Sequence, residues 1–275
     1  MGVLDGKIAV VSGASRGIGK GCAQELGAAG ATVYVTGRTV EEGSAPLPGT
    51  VGATAADVSA LGGKGIAVQC DLGDDAQIES CFDRVRDEQG RLDILVNSAF
   101  GNPGLREGPT PFWETSLDWY DLLMGPGTRG AYVASTFAAR IMVPQKSGLI
   151  VNVSALGAQY FYKHVAYGMG KAALDKLTKD AGRQLREHGI PVVSIWPYFV
   201  KTEQLLVNVE KGHPIDLEGA ESQRFVGKGV VALATDPEAM ARTGKPFTSY
   251  ELAVDYGYTD EDGRMPGASV LPKHR

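Results

Sequence analysis

The chain has 275 residues, of which 43% are hydrophobic, and its 27 basic and 32 acidic side chains leave a net charge of −5 at pH 7. Without long runs of one sign, that balance argues against nucleic acid or an anionic membrane as partner, and one domain is expected over residues 1–275. Cys22, Cys70 and Cys81 show no disulfide pattern and no metal-ligand spacing, and no leader pattern or run of about 20 apolar residues appears, so a cytoplasmic protein without a metal is expected.

Ile8 to Val11 is the first short β-branched run, and the residues after it, VVSGASRGIG, put Gly13, Gly17 and Gly19 ahead of a helix beginning at Ile18. Glycine allows a tight turn and close backbone approach, and the free N–H groups of a helix N-terminus attract a pyrophosphate. A strand, a glycine turn and a helix in that order predict a dinucleotide site. The second run, Thr32 to Val35, is followed by Arg38 with no carboxylate before it. Arg16 lies inside the glycine loop, so two guanidinium groups could meet a 2′-phosphate, and NADP is expected over NAD. Glu42 to Ala53, rich in glycine and proline, predicts a long surface loop.

Ile66 to Val68, Ile94 to Val96, Leu149 to Val153 and Val192 to Ile195 complete six predicted strands, separated by helical patterns over 77–88 and 166–186. Strands apolar on both faces, alternating with helices, predict a doubly wound parallel sheet covered on both sides, a three-layer α/β/α fold. Gly125-Pro126-Gly127 interrupts another helical stretch, although glycine costs about 1 and proline about 3 kcal/mol in a helix interior.

Ser154 ends the fifth strand, and Tyr167 and Lys171 lie four residues apart on one helical face. Hydride transfer at a carbonyl carbon needs a proton moved at its oxygen, and an ammonium near a phenol favours phenolate. The set therefore predicts acid/base chemistry at a carbonyl or alcohol. Trp113, Tyr160, Phe161, Tyr162, Tyr198 and Phe199 fall near strand ends and point to a lipophilic small molecule if about half line the cleft. Residues 203–228 are the expected lid and 249–275 a C-terminal extension. Asp175, Lys176 and Lys179 are expected to form a solvated or subunit-facing stripe.

The spacing Gly13-x-x-x-Gly17-x-Gly19, with CDLGD, VNSAFG, Tyr167-x-x-x-Lys171 and WPYFVKTE, resembles the short-chain dehydrogenase/reductase family from about Lys7 to Thr202. The resemblance implies a Rossmann-type sheet and an NADP-dependent oxidoreductase. Tyr167 would be the acid/base, Lys171 would lower its pKa and hold the nicotinamide ribose, and Ser154 would bind the substrate oxygen. It implies cofactor contacts at Gly13, Ser15, Arg16, Gly17, Ile18, Gly19, Arg38, Asp71, Leu72, Asn97, Ala99, Tyr167, Lys171, Pro197, Val200 and Thr202. Asn97 fits equally a structural tie between strand ends. A homodimer or homotetramer is expected by the same analogy.

Ser98, Phe100 and Tyr198 depart from the family pattern, and Gly127 stands where it has an asparagine. That asparagine occupies a helix distortion holding a water linked to the lysine. Pro126 is expected to free a carbonyl near Leu122, with Gly127 letting the distortion form, so that the backbone alone keeps the link. The competing reading is a catalytically weak dinucleotide-binding sensor, which would have no need of Ser154, Tyr167 and Lys171 together.

Overall fold

The computed structural model describes residues 2–101, 111–162, 164–213 and 217–267; parts of the expected lid (214–216) and C-terminal extension (268–275) lie outside the described residues. Seven parallel strands form one sheet in the order β3-β2-β1-β4-β5-β6-β7. They are β1 Ile8–Ser12, β2 Thr32–Gly37, β3 Lys64–Gln69, β4 Ile94–Asn97, β5 Leu149–Val153, β6 Val192–Trp196 and β7 Pro246–Thr248. The helices are α1 Gly17–Ala28, α2 Val51–Ala60, α3 Asp75–Gln89, α4 Leu117–Met124, α5 Gly130–Gln145, α6 Val165–Leu185, α7 Glu203–Glu210, α8 Gln223–Thr235 and α9 Ser249–Tyr256.

Alternation along the strands divides the core. Val11, Val33, Val35, Val96, Val151 and Ile195 face α1, α2, α8 and α9 through Leu26, Val58, Val230 and Leu252. Val10, Tyr34, Leu95, Ile150 and Val192 face α3 and α5 through Phe82, Val85, Ala138 and Met142. Both faces of the sheet are thus covered, as the unbroken apolar strands predict.

Three elements differ from expectation. The predicted loop over 42–53 ends at Thr50, whose side chain accepts from Ala53 N and caps α2. The seventh strand has only three half-buried residues and begins with proline, too little for any periodic signal. Gln223 to Lys228, placed in the expected lid, belong to α8: a Cβ on Gly21 would overlap the Gln223 carbonyl, so α1 and α8 pack backbone to backbone.

The strand end that leads toward the site is latched by Glu221. Its backbone N–H donates to Phe199 O at 2.7 Å, and its carbonyl accepts from Lys201 N at 2.9 Å. Its Oε1 accepts from Tyr198 N at 2.8 Å and from the Ser249 hydroxyl, joining the 198–201 loop to α9. Burial pushes this carboxyl up to about 8. The folded chain therefore keeps a proton that the unfolded chain loses near its ordinary value, so this stabilisation is full at acid pH and is lost as pH rises through the raised value. Denaturation midpoints should fall between about pH 4.5 and about pH 8 and level off above. Glu221→Gln should flatten that slope; an equally steep slope in the variant would show that another group titrates.

Candidate active site

The site is built on one stripe of α6. His164 caps that helix, its Nδ1 accepting from Ala166 N at 3.2 Å, and Tyr167, Lys171 and Asp175 follow at four-residue spacing. The Tyr167 ring has room because residue 157 lacks a side chain: a Cβ there would stand 2.6 Å from Tyr167 Cε1. Lys171 is buried, and its Nζ donates to Val153 O at 3.0 Å. Ser154, also buried, donates from Oγ to Lys171 O at 3.0 Å. The three predicted chemical residues therefore meet at the carboxyl ends of β5 and α6's first turns.

Burial dominates their electrostatics. It lowers Lys171 to about 8, partly opposed by the Asp175 carboxylate. It also raises Tyr167 above its ordinary value, so the lowering expected from a neighbouring ammonium does not prevail, with Nζ 5.9 Å from the phenol ring centroid. The ammonium lies 5.1 Å from the Phe100 ring centroid. Phe100 meets Tyr167 edge-on, with centroids 5.8 Å apart and planes at 90°. Phe100, Gly127, Tyr167 and Lys171 border a cavity of about 10 Å³, room for a single water.

Asp175 corrects the expectation of a solvated stripe. Its carboxylate accepts from the Trp196 indole at 3.1 Å, and burial raises its pKa against the hydrogen bonds from Trp196, Ser154 and Ser194. Lys176 and Lys179 do lie on the exposed side. The four-residue step after Lys171 was the available signal, but only the position of β6 makes that face an interior one.

The helix interruption is a change of pitch. Gly125–Arg129 form one π turn between α4 and α5, the distortion expected of the triplet. The carbonyl of Leu122, released because Pro126 has no N–H, faces Gly101, where any Cβ would overlap it. It packs against the chain that leaves β4.

The glycine loop is shaped for close approach. Gly13 and Gly17 have φ of +63° and +60°, and a Cβ on Gly13 would stand 2.5 Å from Ala99 Cα. A Cβ on Gly19 would stand 2.5 Å from Gly13 O. Ser15 is buried, and Ile18 packs against the core beneath the loop. Gly17 N donates to the Glu203 carboxylate at 2.9 Å, so an anionic group already sits at the N-terminus of α1. Arg16 reaches Pro48 O, Gly49 O and Thr39 Oγ1, which brings its guanidinium to the end of β2 beside exposed Arg38. These residues fit a dinucleotide phosphate.

The other predicted contacts are less uniform. Asp71 Oδ1 accepts from Gly73 N at 2.9 Å, while Leu72 is buried with its Cβ against Gly130. Asn97 is a structural tie: Nδ2 donates to Asn152 Oδ1 at 2.8 Å and Ser135 Oγ at 3.0 Å. Thr202 caps α7 and lies against Gly17, and buried Val200 pairs with Glu221. Pro197 leads from β6 into that loop. Tyr162 stands 6.0 Å from Tyr167 and 6.5 Å from Phe199, whose ring meets Tyr198 at 4.8 Å, so a chain of aromatic pairs runs from the phenol ring to the loop after β6. Trp113 instead pairs with Phe112 on the surface. Sequence reasoning missed Gly157, Glu203 and Glu221, none of which carries a local signal for its long-range contact.

Among the described residues no helix is long and apolar enough to cross a membrane, and no cluster could hold a metal. Residues 7–211 match the family model described as short chain dehydrogenase. The human protein dehydrogenase/reductase SDR family member 1 is 41% identical over 274 residues, covering 95% of this chain and 85% of that protein. A short chain dehydrogenase from Mycobacterium thermoresistibile shares the fold with TM-score 0.80 and 24% identity, over 94% of this chain and 90% of that one. A metagenomic short-chain oxidoreductase in complex with NADP superposes with TM-score 0.69 and 29% identity, over 86% of this chain and 94% of that one. The chain thus belongs to the short-chain dehydrogenase/reductase family of oxidoreductases, in the subgroup represented by dehydrogenase/reductase SDR family member 1.

Proposed function

We propose that this protein interconverts an alcohol and a ketone or aldehyde with NADP(H) on a lipophilic small molecule. The observation that carries the reading is the meeting of Ser154, Tyr167 and Lys171 at the carboxyl end of β5, in a fold whose glycine loop fits a dinucleotide phosphate. The bound nicotinamide would supply or accept the hydride. Tyr167 Oη gives a proton to the carbonyl oxygen in reduction and takes it from the hydroxyl in oxidation. Lys171 favours the phenolate form when its ammonium nears that oxygen, and Ser154 Oγ offers the substrate oxygen a second hydrogen bond.

Gly13, Ser15, Arg16, Gly17, Ile18 and Gly19 would hold the phosphates, with Asp71 and Leu72 at the adenine end. Ala99, Pro197, Val200 and Thr202, with Tyr167 and Lys171, would border the nicotinamide side. Asn97, engaged with Asn152 and Ser135, would act there by fixing the end of β4. Arg16 and Arg38 support NADP over NAD because a 2′-phosphate carries nearly two negative charges. The NADP named for the metagenomic oxidoreductase accords with that choice. The aromatic chain from Tyr167 through Tyr162 and Phe199 to Tyr198 supports a lipophilic substrate, with α7 as the lid. Assembly as a dimer or tetramer and a cytoplasmic location complete the proposal.

Tyr167→Phe should reduce turnover on a carbonyl panel by about 10²-fold or more while retaining NADPH binding. Binding without turnover by the unaltered protein on every carbonyl would favour the sensor reading. Arg38→Ala should weaken NADPH about tenfold or more and leave NADH nearly unchanged; an equal loss for both would remove the 2′-phosphate assignment. Because a phosphate at the α1 N-terminus must displace the Glu203 carboxylate, Glu203→Gln should tighten NADPH binding about two- to fivefold in a fluorescence titration. Weaker binding would mean that Glu203 supports the cofactor site instead of competing for it.

A further inference from the structure

We propose that Phe100 is a positioning residue for the acid/base pair: its ring face holds the Lys171 ammonium, and its ring packs perpendicular to that of Tyr167. The inference rests on the functional reading above only in giving Lys171 a chemical role. A buried ammonium needs compensation for lost water, and one hydrogen-bond acceptor, Val153 O at 3.0 Å, supplies only part of it. The negative face of an aromatic ring attracts a cation within about 6 Å of its centroid. Phe100 presents that face at 5.1 Å, and its perpendicular contact with Tyr167 fixes the ring's tilt.

The ring lies against the π turn, next to Gly127. A Cβ on Gly127 would stand in ordinary contact, 3.8 Å from Phe100 Cδ2 and 3.9 Å from its Cα. Gly101 lets the chain turn past the Leu122 carbonyl immediately afterwards. The π turn brings Gly127 beside this ring. Phe100 is 40% exposed, so its contacts are local and its replacement does not empty the core.

Few ionisable groups compete for control of Lys171. On α6 these are Tyr167 and Asp175, the latter shared with the Trp196 indole of β6. The β5 end contributes the Val153 carbonyl and neutral Ser154, the π turn contributes neutral Thr128, and Tyr162 adjoins Tyr167 from the preceding loop. The ring of Phe100 is the contact that can be altered without touching a charge.

The test is titration of Lys171 in the protein alone, by nuclear magnetic resonance of lysine labelled at the ε-carbon, with Lys171→Met identifying the signal. Phe100→Leu keeps bulk but removes the ring's field, and should lower the Lys171 midpoint by about half a unit to one unit. Phe100→Tyr should restore it. A merely space-filling role predicts no shift in the leucine variant, and that result would overturn the proposal. Should Phe100→Leu fail to fold, Phe100→Met provides the second reading, because it too removes the ring's field and should lower the midpoint in the same direction; an unchanged midpoint overturns the proposal there also. Since the titration involves no turnover, an inactive enzyme with the expected shift would sink the functional reading and leave this one standing.

Discussion

A buried polar row across the carboxyl ends of four strands is the constraint on which the rest of the site depends. Ser12, Asn97, Asn152 and Ser194 stand directly opposite one another in register, and all are buried. Asn97 bonds to Asn152 and Ser135, Asn152 to Thr178, and Thr178 to Ser194. These residues continue the sheet face that is apolar lower down, so the row replaces hydrophobic packing where the sheet meets α5 and α6. An interior donor or acceptor left unpaired costs about 1–3 kcal/mol. Sliding β4, β5 or α6 against its neighbours would strand several such groups together. Register is thereby fixed at the end where the chemistry sits, and Thr178, seven residues beyond Lys171, carries that fixity along α6.

From that anchored end, Ser12 Oγ also accepts from Ser98 N and Ala99 N, which turns the chain after β4 toward the glycine loop. Gly13 then meets Ala99 at a distance no side chain would permit. Phe100 follows at once and reaches Lys171 and Tyr167. The shape of the glycine loop and the packing around Tyr167 and Lys171 are therefore two consequences of one strand end, and displacement of β4 would disturb both. The desolvation that lowers Lys171 and raises Tyr167 belongs to the same geometry, because the tight packing that positions these groups also removes their water.

The parallel sheet was legible because its central strands are apolar on both faces, and because the glycine turn, Ser154 and the Tyr167-Lys171 spacing are local patterns. Pro246–Thr248 was not legible, since three half-buried residues become a strand only when β6 supplies the partner. The Gly125-Pro126-Gly127 triplet announced a distortion but not its direction, which follows from the fit of the Leu122 carbonyl against Gly101. Asp175 was misjudged for a related reason: a charge between lysines suggests a wet helix face, and only the indole of Trp196 makes it an inner one.

The first six strands, the glycine loop and the spacing of Ser154, Tyr167 and Lys171 were determined by the sequence alone, since each depends on periodicity or spacing within a short segment. The tertiary structure decided that Asn97 ties strands, that Glu203 faces the α1 N-terminus, that Glu221 latches the 198–201 loop, and that Phe100 covers Lys171. Those contacts join residues far apart in the chain. Their energies depend on distance and burial, which exist only once the sheet has brought the segments together.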